Sequence, residues 1–273
     1  MPIKLIVNGC GLKVERRGKD GAPVIFFSNS LGSDLAMWDE QVTILERNFQ
    51  VVCMDTRGHG ASSSPAGDYS LNSLADDVLA VMDKLNIERA HFVGLSLGGM
   101  IGQVLGARSG DRFDSLTLCA TFSETDRMLW ADRVDAVRAS GVEHLVESTI
   151  ERWFTPAFRE TSPEVIDKVR KMIIGTSTNG YAGCSAAIRD MDLTGIPEQI
   201  RIPTLVIAAT QDPSATPEAM KQLHSRIPDA HYTEINNAAH LFTLEQPQAA
   251  TDLIQTFLHE VEFSAKSVPA RGR

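Results

Sequence analysis

The pentapeptide Gly94-Leu95-Ser96-Leu97-Gly98 has the G-x-S-x-G pattern, which can present a serine hydroxyl for attack on a carbonyl carbon. It lies between a strand-like run at 90–93 and a helix-like run at 100–108. A serine nucleophile stands on a turn so tight that neighbouring side chains would clash, and flanking glycines relieve that clash. The pattern also arises by chance, because glycine and serine are common. The interpretation of Ser96 as a nucleophile therefore depends on finding a base and an acid.

Asp212 and His240 are the candidate acid and base for such a serine. In one known chain order, Ser then Asp then His, each residue stands on a loop that follows a strand. Asp212 follows an apolar run at 204–209 that predicts a buried parallel strand, and His240 ends the loop after a short strand at 231–235. Asp before Pro is also a common turn former, and a lone histidine is usually a surface residue. The order and the positions favour a triad of Ser96, Asp212 and His240.

Two backbone amides are predicted to bind the oxyanion that forms when the carbonyl is attacked. Loss of one such donor typically lowers the rate about 100- to 1,000-fold. The Leu97 amide directly follows the nucleophile and is the first predicted donor. The second is predicted to be the Leu31 amide, in the loop Asn29-Ser30-Leu31-Gly32 after a strand at 24–28.

A sheet must bring these loops to one edge, and the pattern of the chain predicts such a sheet. Strand-like runs alternate with helical patterns such as 71–85, which indicates an α/β fold, a mainly parallel sheet with helices on both faces. The predicted strands are at 3–7, 12–15, 24–28, 50–55, 90–94, 115–118, 204–209 and 231–235.

The alternation stops after Leu118 and resumes near Ile202. The stretch between is helix-patterned, with breaks at Thr155-Pro156 and Ser162-Pro163. An insertion at this place is expected to lie over the sheet edge that carries the nucleophile. The sequence thus predicts a core at 1–122 and 198–263, an inserted helical cap at 123–197 and a disordered tail at 264–273.

Composition excludes several classes of function. The chain has 273 residues, with 26 Lys and Arg against 35 Asp and Glu, a net charge of −9, and it has no long basic run. We therefore expect no nucleic-acid partner. No apolar run is long enough for a membrane span and no signal peptide is recognisable, so a cytoplasmic enzyme without a membrane partner is expected.

The four cysteines, Cys10, Cys53, Cys119 and Cys184, lack metal-ligand spacing. Neither a disulfide nor a structural metal is expected. Cys53 and Cys119 lie in strand-like runs and are predicted to be small buried apolar residues.

Several segments contain sequence motifs that are shared with a known family. They are Ser28-Asn29-Ser30-Leu31-Gly32 with Met37-Trp38, Asp55-Thr56-Arg57-Gly58-His59-Gly60, the run at 94–103, and Ala238-Ala239-His240-Leu241 with Glu245-Gln246-Pro247. On these segments the chain resembles the α/β-hydrolase superfamily and, within it, the 3-oxoadipate enol-lactonases. Asn-Ser-Leu-Gly and Leu-Ser-Leu-Gly-Gly-Met-Ile-Gly are the specific part, since the rest is common among hydrolases. One departure is Ala209-Thr210, where many relatives carry glycine before the acid loop.

The resemblance implies an α/β-hydrolase fold and a hydrolase that needs no cofactor and no metal. The cap is expected to select the substrate, and enol-lactonases carry a Trp-x-x-Arg there that matches Trp130 and Arg133. An arginine in a pocket that excludes water can bind a carboxylate through two parallel hydrogen bonds. Trp130 and Arg133 are therefore predicted to bind substrate, and Arg152 with Trp153 offers the same chemistry. Arginines more often face water, and tryptophans more often fill cores.

Other polar residues are expected to be structural. The turn with Asp55, Arg57 and His59 is predicted to brace a loop, and Asp76, Asp77 and Asp83 are predicted to form a solvated helix face.

The predicted function is hydrolysis of a small anionic lactone or ester, with 3-oxoadipate enol-lactone as the named substrate. A general carboxylesterase or a cofactor-free perhydrolase with the same triad is the alternative within the class. A small-molecule receptor with a hydrolase fold is the alternative of another class.

Overall fold

The computed structural model describes residues 2–267, and within them eight strands form one sheet. In chain order the strands are β1 (Pro2–Val7), β2 (Cys10–Gly18), β3 (Val24–Ser28), β4 (Gln50–Met54), β5 (Ala90–Leu95), β6 (Phe113–Cys119), β7 (Thr204–Ala209) and β8 (His231–Ile235). Their order across the sheet is β1-β2-β4-β3-β5-β6-β7-β8. β2 is antiparallel to both β1 and β4, and the pairs from β4 through β3 to β8 are parallel. The predicted mainly parallel sheet is confirmed.

The described residues also form eleven α-helices. They are α1 (Asp39–Leu45), α2 (Leu71–Lys84), α3 (Leu97–Arg108), α4 (Arg127–Ser140), α5 (Val146–Trp153), α6 (Pro156–Thr161), α7 (Pro163–Gly175), α8 (Thr178–Arg189), α9 (Pro217–Arg226), α10 (Phe242–Glu245) and α11 (Pro247–Ser267). Every residue of β4, β5 and β7 is buried. Because successive side chains of a strand point to opposite faces, both faces of the sheet centre are covered.

The strand order determines which loops lie together at the carboxyl edge of the parallel strands. β5, which precedes Ser96, lies in the middle of the sheet between β3 and β6. The carboxyl ends of parallel strands meet at one edge, so the loops after β3, β5, β7 and β8 share that edge. This edge therefore receives Leu31, Ser96, Asp212 and His240.

Residues 123–197, called the cap region below, are all described and contain the five helices α4 to α8. The breaks predicted at Thr155-Pro156 and Ser162-Pro163 are confirmed, because each proline starts a helix. Proline is favoured there, since the first turn of a helix has no use for its missing N–H. α4 packs along α8, so the two ends of the cap region meet.

Two predictions need correction. Asp77 is not on a solvated face: it is buried and forms a two-point ion pair with Arg57, at 2.6 Å for each contact. The sequence pattern of α2 alone does not show that the loop after β4 sends an arginine to this helix. The predicted disordered tail is wrong for 264–267, which continue α11, since Ser264-Ala265-Lys266 contains no helix breaker. Residues 268–273 lie outside the described part of the chain.

Cys53 lies buried in β4 and Cys119 lies buried in β6, as predicted. None of the helices within residues 2–267 is both long enough and apolar enough to cross a bilayer.

Candidate active site

Ser96 occupies a strained turn between β5 and α3. Its backbone has φ 56° and ψ −111°, a conformation that non-glycine residues rarely adopt. A Cβ on Gly94 would lie 2.2 Å from the Gly98 carbonyl oxygen, and a Cβ on Gly98 would lie 2.2 Å from the Ser28 carbonyl oxygen. The two glycines therefore let three backbone segments meet under the serine. This is the local geometry that G-x-S-x-G predicts.

Asp212 and His240 form a close pair on the loops after β7 and β8. His240 Nδ1 lies 2.8 Å from Asp212 Oδ2, and both side chains are buried. Asp212 Oδ1 accepts the Ser214 amide at 2.7 Å. The Gln211 amide donates to the Ala238 carbonyl at 2.9 Å and ties the two loops together. With Asp212 as acceptor, the proton of His240 is held on Nδ1, and Nε2 is left as the basic nitrogen.

The backbone amides of Leu31 and Leu97 differ in hydrogen bonding from the amides of neighbouring residues. Ser30 donates its amide to Met37 Sδ, Gly32 donates to His59 Nε2 at 2.9 Å, and Gly98 donates to the Asn29 carbonyl at 3.1 Å. Within residues 2–267 the Leu31 and Leu97 amides have no hydrogen-bond partner. Two uncommitted amides beside one serine can serve an oxyanion.

The loop that carries Leu31 is held by buried side chains. Asn29 donates to the Met54 carbonyl and accepts from Trp38 Nε1, so its amide group shapes the loop. Asp55 accepts the Leu35 and Ala61 amides, and burial raises the pKa of its carboxyl. Burial also lowers the pKa of His59 to about 4, which keeps this imidazole neutral and able to accept the Gly32 amide.

A small cavity of about 60 Å³ lies between the predicted triad and the cap region. Its walls from the core are Ser30, Leu31, Ser96, Phe122, Ser214 and His240, and its walls from the cap region are Trp130, Arg133, Thr149, Arg152, Trp153 and Tyr181. A larger groove of about 850 Å³ lies by Arg89, Pro203 and His231, at the amino ends of the strands. We take the smaller cavity as the site, because it contains both Ser96 and His240.

The cap side of the cavity carries two guanidinium groups. The Arg133 guanidinium lies 4.7 Å from the centre of the Trp130 ring, and Arg152 donates to Thr149 Oγ1 at 3.2 Å. Within residues 2–267 neither group forms an ion pair with a carboxylate. Burial, together with the nearby Arg133 charge, lowers the pKa of Arg152. The cavity therefore concentrates positive charge that the described residues do not neutralise.

Comparison with known proteins begins with the family. A family model described as an alpha/beta hydrolase fold matches residues 23–247. The chain belongs to the α/β-hydrolase family. This hydrolase is also similar to 3-oxoadipate enol-lactonase 2 of Acinetobacter baylyi, with 37% identity over 88% of this chain and 90% of that relative.

Two solved structures extend the comparison. The enol-lactonase from Burkholderia xenovorans LB400 is 38% identical, with a TM-score of 0.92 over 94% of this chain and all of that one. A thermophilic esterase from Thermogutta terrifontis, solved with malate bound, is 28% identical, with a TM-score of 0.89 over 96% of this chain and 99% of that one. This α/β-hydrolase thus acts on lactone or ester bonds.

Most residues of this site are predictable from the sequence pattern, and some are not. Ser96, Asp212, His240, Leu31 and Leu97 meet at one edge of the sheet, and Trp130 and Arg133 line the same cavity. Thr149, Tyr181 and Ser214 were missed, because a Thr, a Tyr and a Ser without a motif give no signal in a single sequence. Within residues 2–267 no cluster of three or more His, Cys, Asp or Glu side chains is placed to hold a metal ion.

Proposed function

We propose that this hydrolase opens a small lactone that bears a free carboxylate, 3-oxoadipate enol-lactone, through an acyl-enzyme on Ser96. One observation carries the proposal: Arg133 and Arg152 line the cavity of Ser96 and His240 without a carboxylate partner in the described residues. Charges in a confined site are stabilised when a ligand of opposite charge arrives. The enol-lactonase names of the relatives agree with this substrate.

In the first half of the reaction, His240 Nε2 takes the Ser96 proton as the hydroxyl oxygen attacks the lactone carbonyl. The negative charge that develops on the carbonyl oxygen is bound by the Leu31 and Leu97 amides. The bond between the acyl carbon and the ring oxygen then breaks, and the enol oxygen receives the proton from His240. An enol leaves more readily than a simple alcohol, and it then tautomerises to the ketone.

In the second half, His240 removes a proton from water, and the water oxygen attacks the acyl carbon. The ester bond to Ser96 breaks, the serine regains its proton and the dicarboxylate product leaves. Asp212 keeps the imidazole in the tautomer that both halves need. Besides the substrate and water, the proposed steps use side chains and backbone amides of this chain.

The positive cap wall favours this proposal over a general esterase. Neutral esters have no group to place against two guanidiniums, and the two charges repel each other when nothing lies between them. Similarity to an esterase keeps ester hydrolysis as the second candidate function. The perhydrolase variant of that candidate would transfer the same acyl group to hydrogen peroxide.

The experiment compares 3-oxoadipate enol-lactone with the same lactone after methylation of its free carboxylate. We expect kcat/KM to be about 10- to 100-fold higher for the charged lactone, since an ionic hydrogen bond is worth about 1.5–3 kcal/mol. Mass spectrometry of a rapidly quenched reaction should find the acyl group on the peptide that carries Ser96. Equal turnover of both lactones, or faster turnover of p-nitrophenyl acetate, would favour the esterase. Peroxide-dependent acyl transfer that outpaces hydrolysis would favour the perhydrolase.

A further inference from the structure

Glu245 is a buried carboxylate for which the proposed chemistry has no use. It ends α10 with 6% of its surface exposed, five residues after His240. Oε2 accepts the Ala239 amide at 2.9 Å, and Oε1 accepts the Thr155 amide at 3.2 Å. The Thr155 hydroxyl also donates to Oε1. One carboxylate thus joins the residue before His240 to the cap region.

A second contact holds the other side of the histidine. The Leu241 amide, directly after His240, donates to the Trp153 carbonyl at 3.0 Å. The Trp153 ring also stacks on the His240 ring, with centroids 6.2 Å apart and planes 27° apart. The segment Trp153-Phe154-Thr155 therefore contacts the backbone on both sides of His240 and its ring. Two of these contacts are direct, and the third passes through Glu245.

We propose that Glu245 is a positioning residue, which fixes the backbone of His240 against the Trp153–Thr155 segment of the cap region. The proposal rests on the proposed function in one respect, the role of His240 as the base. A buried carboxylate that accepts backbone amides holds them firmly, because a buried amide left without a hydrogen-bond partner is unfavourable. The cap region then has a second role, since it holds the base in place as well as meeting the substrate.

Loss of Glu245 should have a different kinetic effect from loss of Arg133 or Arg152. A displaced base slows attack by Ser96 and attack by water alike, whatever the acyl group. A misplacement of about 1 Å can lower a rate about 100-fold without weakening the binding of substrate. Loss of Glu245 should therefore lower kcat equally for neutral and anionic substrates, with KM unchanged. Loss of an arginine should change KM for the anionic substrate alone.

The test uses Glu245→Gln, which keeps the shape but turns one acceptor oxygen into a donor that faces an amide. With p-nitrophenyl acetate and with the lactone, we expect kcat to fall about 10- to 100-fold and KM to stay within about twofold. The rate at which a fluorophosphonate labels Ser96 should fall by the same factor. The proton on His240 Nδ1 should shift in the NMR spectrum. A folded Glu245→Gln protein with the kcat and labelling rate of the wild type would overturn the proposal.

Thr155 offers an independent variant if Glu245→Gln does not fold. Thr155→Val removes the hydroxyl that donates to Glu245, and Thr155→Ser restores it. We expect a lower kcat for the first and recovery in the second, whereas wild-type kcat in a folded Thr155→Val protein would count against the proposal. Glu147→Gln is the matched control, an exposed carboxylate in the cap region. An equal loss of kcat in this control would also overturn it.

His240→Ala distinguishes the two proposals. If His240→Ala is inactive and folded Glu245→Gln is fully active, the role of His240 stands and the positioning role of Glu245 fails. If His240→Ala keeps the wild-type rate on p-nitrophenyl acetate, the proposed function fails and takes the positioning role with it.

Discussion

The two walls of the cavity are built in different ways. On the core wall the proposed reacting groups are fixed by the backbone or by hydrogen bonds: Ser96 by a strained turn, His240 by Asp212, and the Leu31 loop by His59. On the cap wall, Arg133 lies over the Trp130 ring and hydrogen-bonds to Tyr181, and Arg152 donates to the Thr149 hydroxyl, but neither has a carboxylate partner in the described residues. Rigid placement suits a step in which a fraction of an ångström matters, whereas uncommitted charges suit the capture of a ligand. The difference supports our proposal that reaction and selection belong to separate parts of this chain.

Substitution of Ser96 should have the largest effect. With Ser96→Ala, kcat should fall about 10⁴- to 10⁶-fold for the lactone and for p-nitrophenyl acetate alike, because the nucleophile is lost for every substrate. Steady-state rates and a thermal melt would be measured together. Retention of lactone turnover by a folded Ser96→Ala protein would break the assignment of the chemistry to the core wall.

The second prediction concerns acid stability of the core wall. His59 has a pKa of about 4 in the folded chain against an ordinary 6.5, so the unfolded chain binds the proton more tightly. The contribution of neutral His59 to the free energy of unfolding is complete above pH 6.5. It is lost as the pH falls towards 4, by at most about 1.4 kcal/mol per pH unit and roughly 3 kcal/mol in all. Measured by urea unfolding between pH 7 and 4.5, the free energy of unfolding of His59→Gln should depend less steeply on pH than that of the wild type.

Its control is His144→Gln, at an exposed position of the cap region. We expect the pH dependence of the wild type in this variant. The comparison loses its electrostatic basis if both histidine variants flatten the curve to the same degree.

The third prediction concerns the cap wall. Arg133→Ala should raise KM for the lactone about 10- to 100-fold and leave p-nitrophenyl acetate unaffected, because one charged hydrogen-bond donor to the carboxylate is removed. Arg152→Ala should act in the same direction. Arg127→Ala, at an exposed position of the same helix as Arg133, is the matched control and should behave as the wild type. A fall in kcat on the neutral ester would show that an arginine also serves the reaction, and the division between the walls would then fail.

The smallest effect is expected on the outer surface of the cap region. Glu147 pairs with Arg170 at 3.1 Å while 71% of its side chain is exposed. Glu147→Gln should change the free energy of unfolding by less than about 0.5 kcal/mol and leave kcat and KM unchanged. Urea unfolding and steady-state kinetics check both statements. A larger change would mean that the outer surface of the cap region tolerates substitution less well than its exposure indicates.

The parts of the site that the sequence predicted are those that depend on local pattern. Ser96 needs a strand, a tight turn and a helix within a few residues, and Asp212 and His240 each need only a preceding strand. Asp77 and Tyr181 were beyond reach for a common reason: their environments are made by elements distant in the chain. Arg57 comes to Asp77 from the loop after β4, and Tyr181 enters the cavity because α8 packs along α4. Contacts between elements that are distant in the chain follow from tertiary packing, which periodicity in a single sequence does not reveal.

The order of the strands also bears on how the protein is made. β5 emerges from the ribosome before β7 and β8, which complete the sheet on one side. Synthesis at about 5–20 residues per second separates Ser96 from His240 by roughly 7 to 30 seconds. During that interval the nascent chain holds the proposed nucleophile and both proposed oxyanion amides without the proposed base, and for most of it without Asp212, the proposed acid. Esterolytic activity should therefore appear only after β8 and the loop that carries His240 have been added.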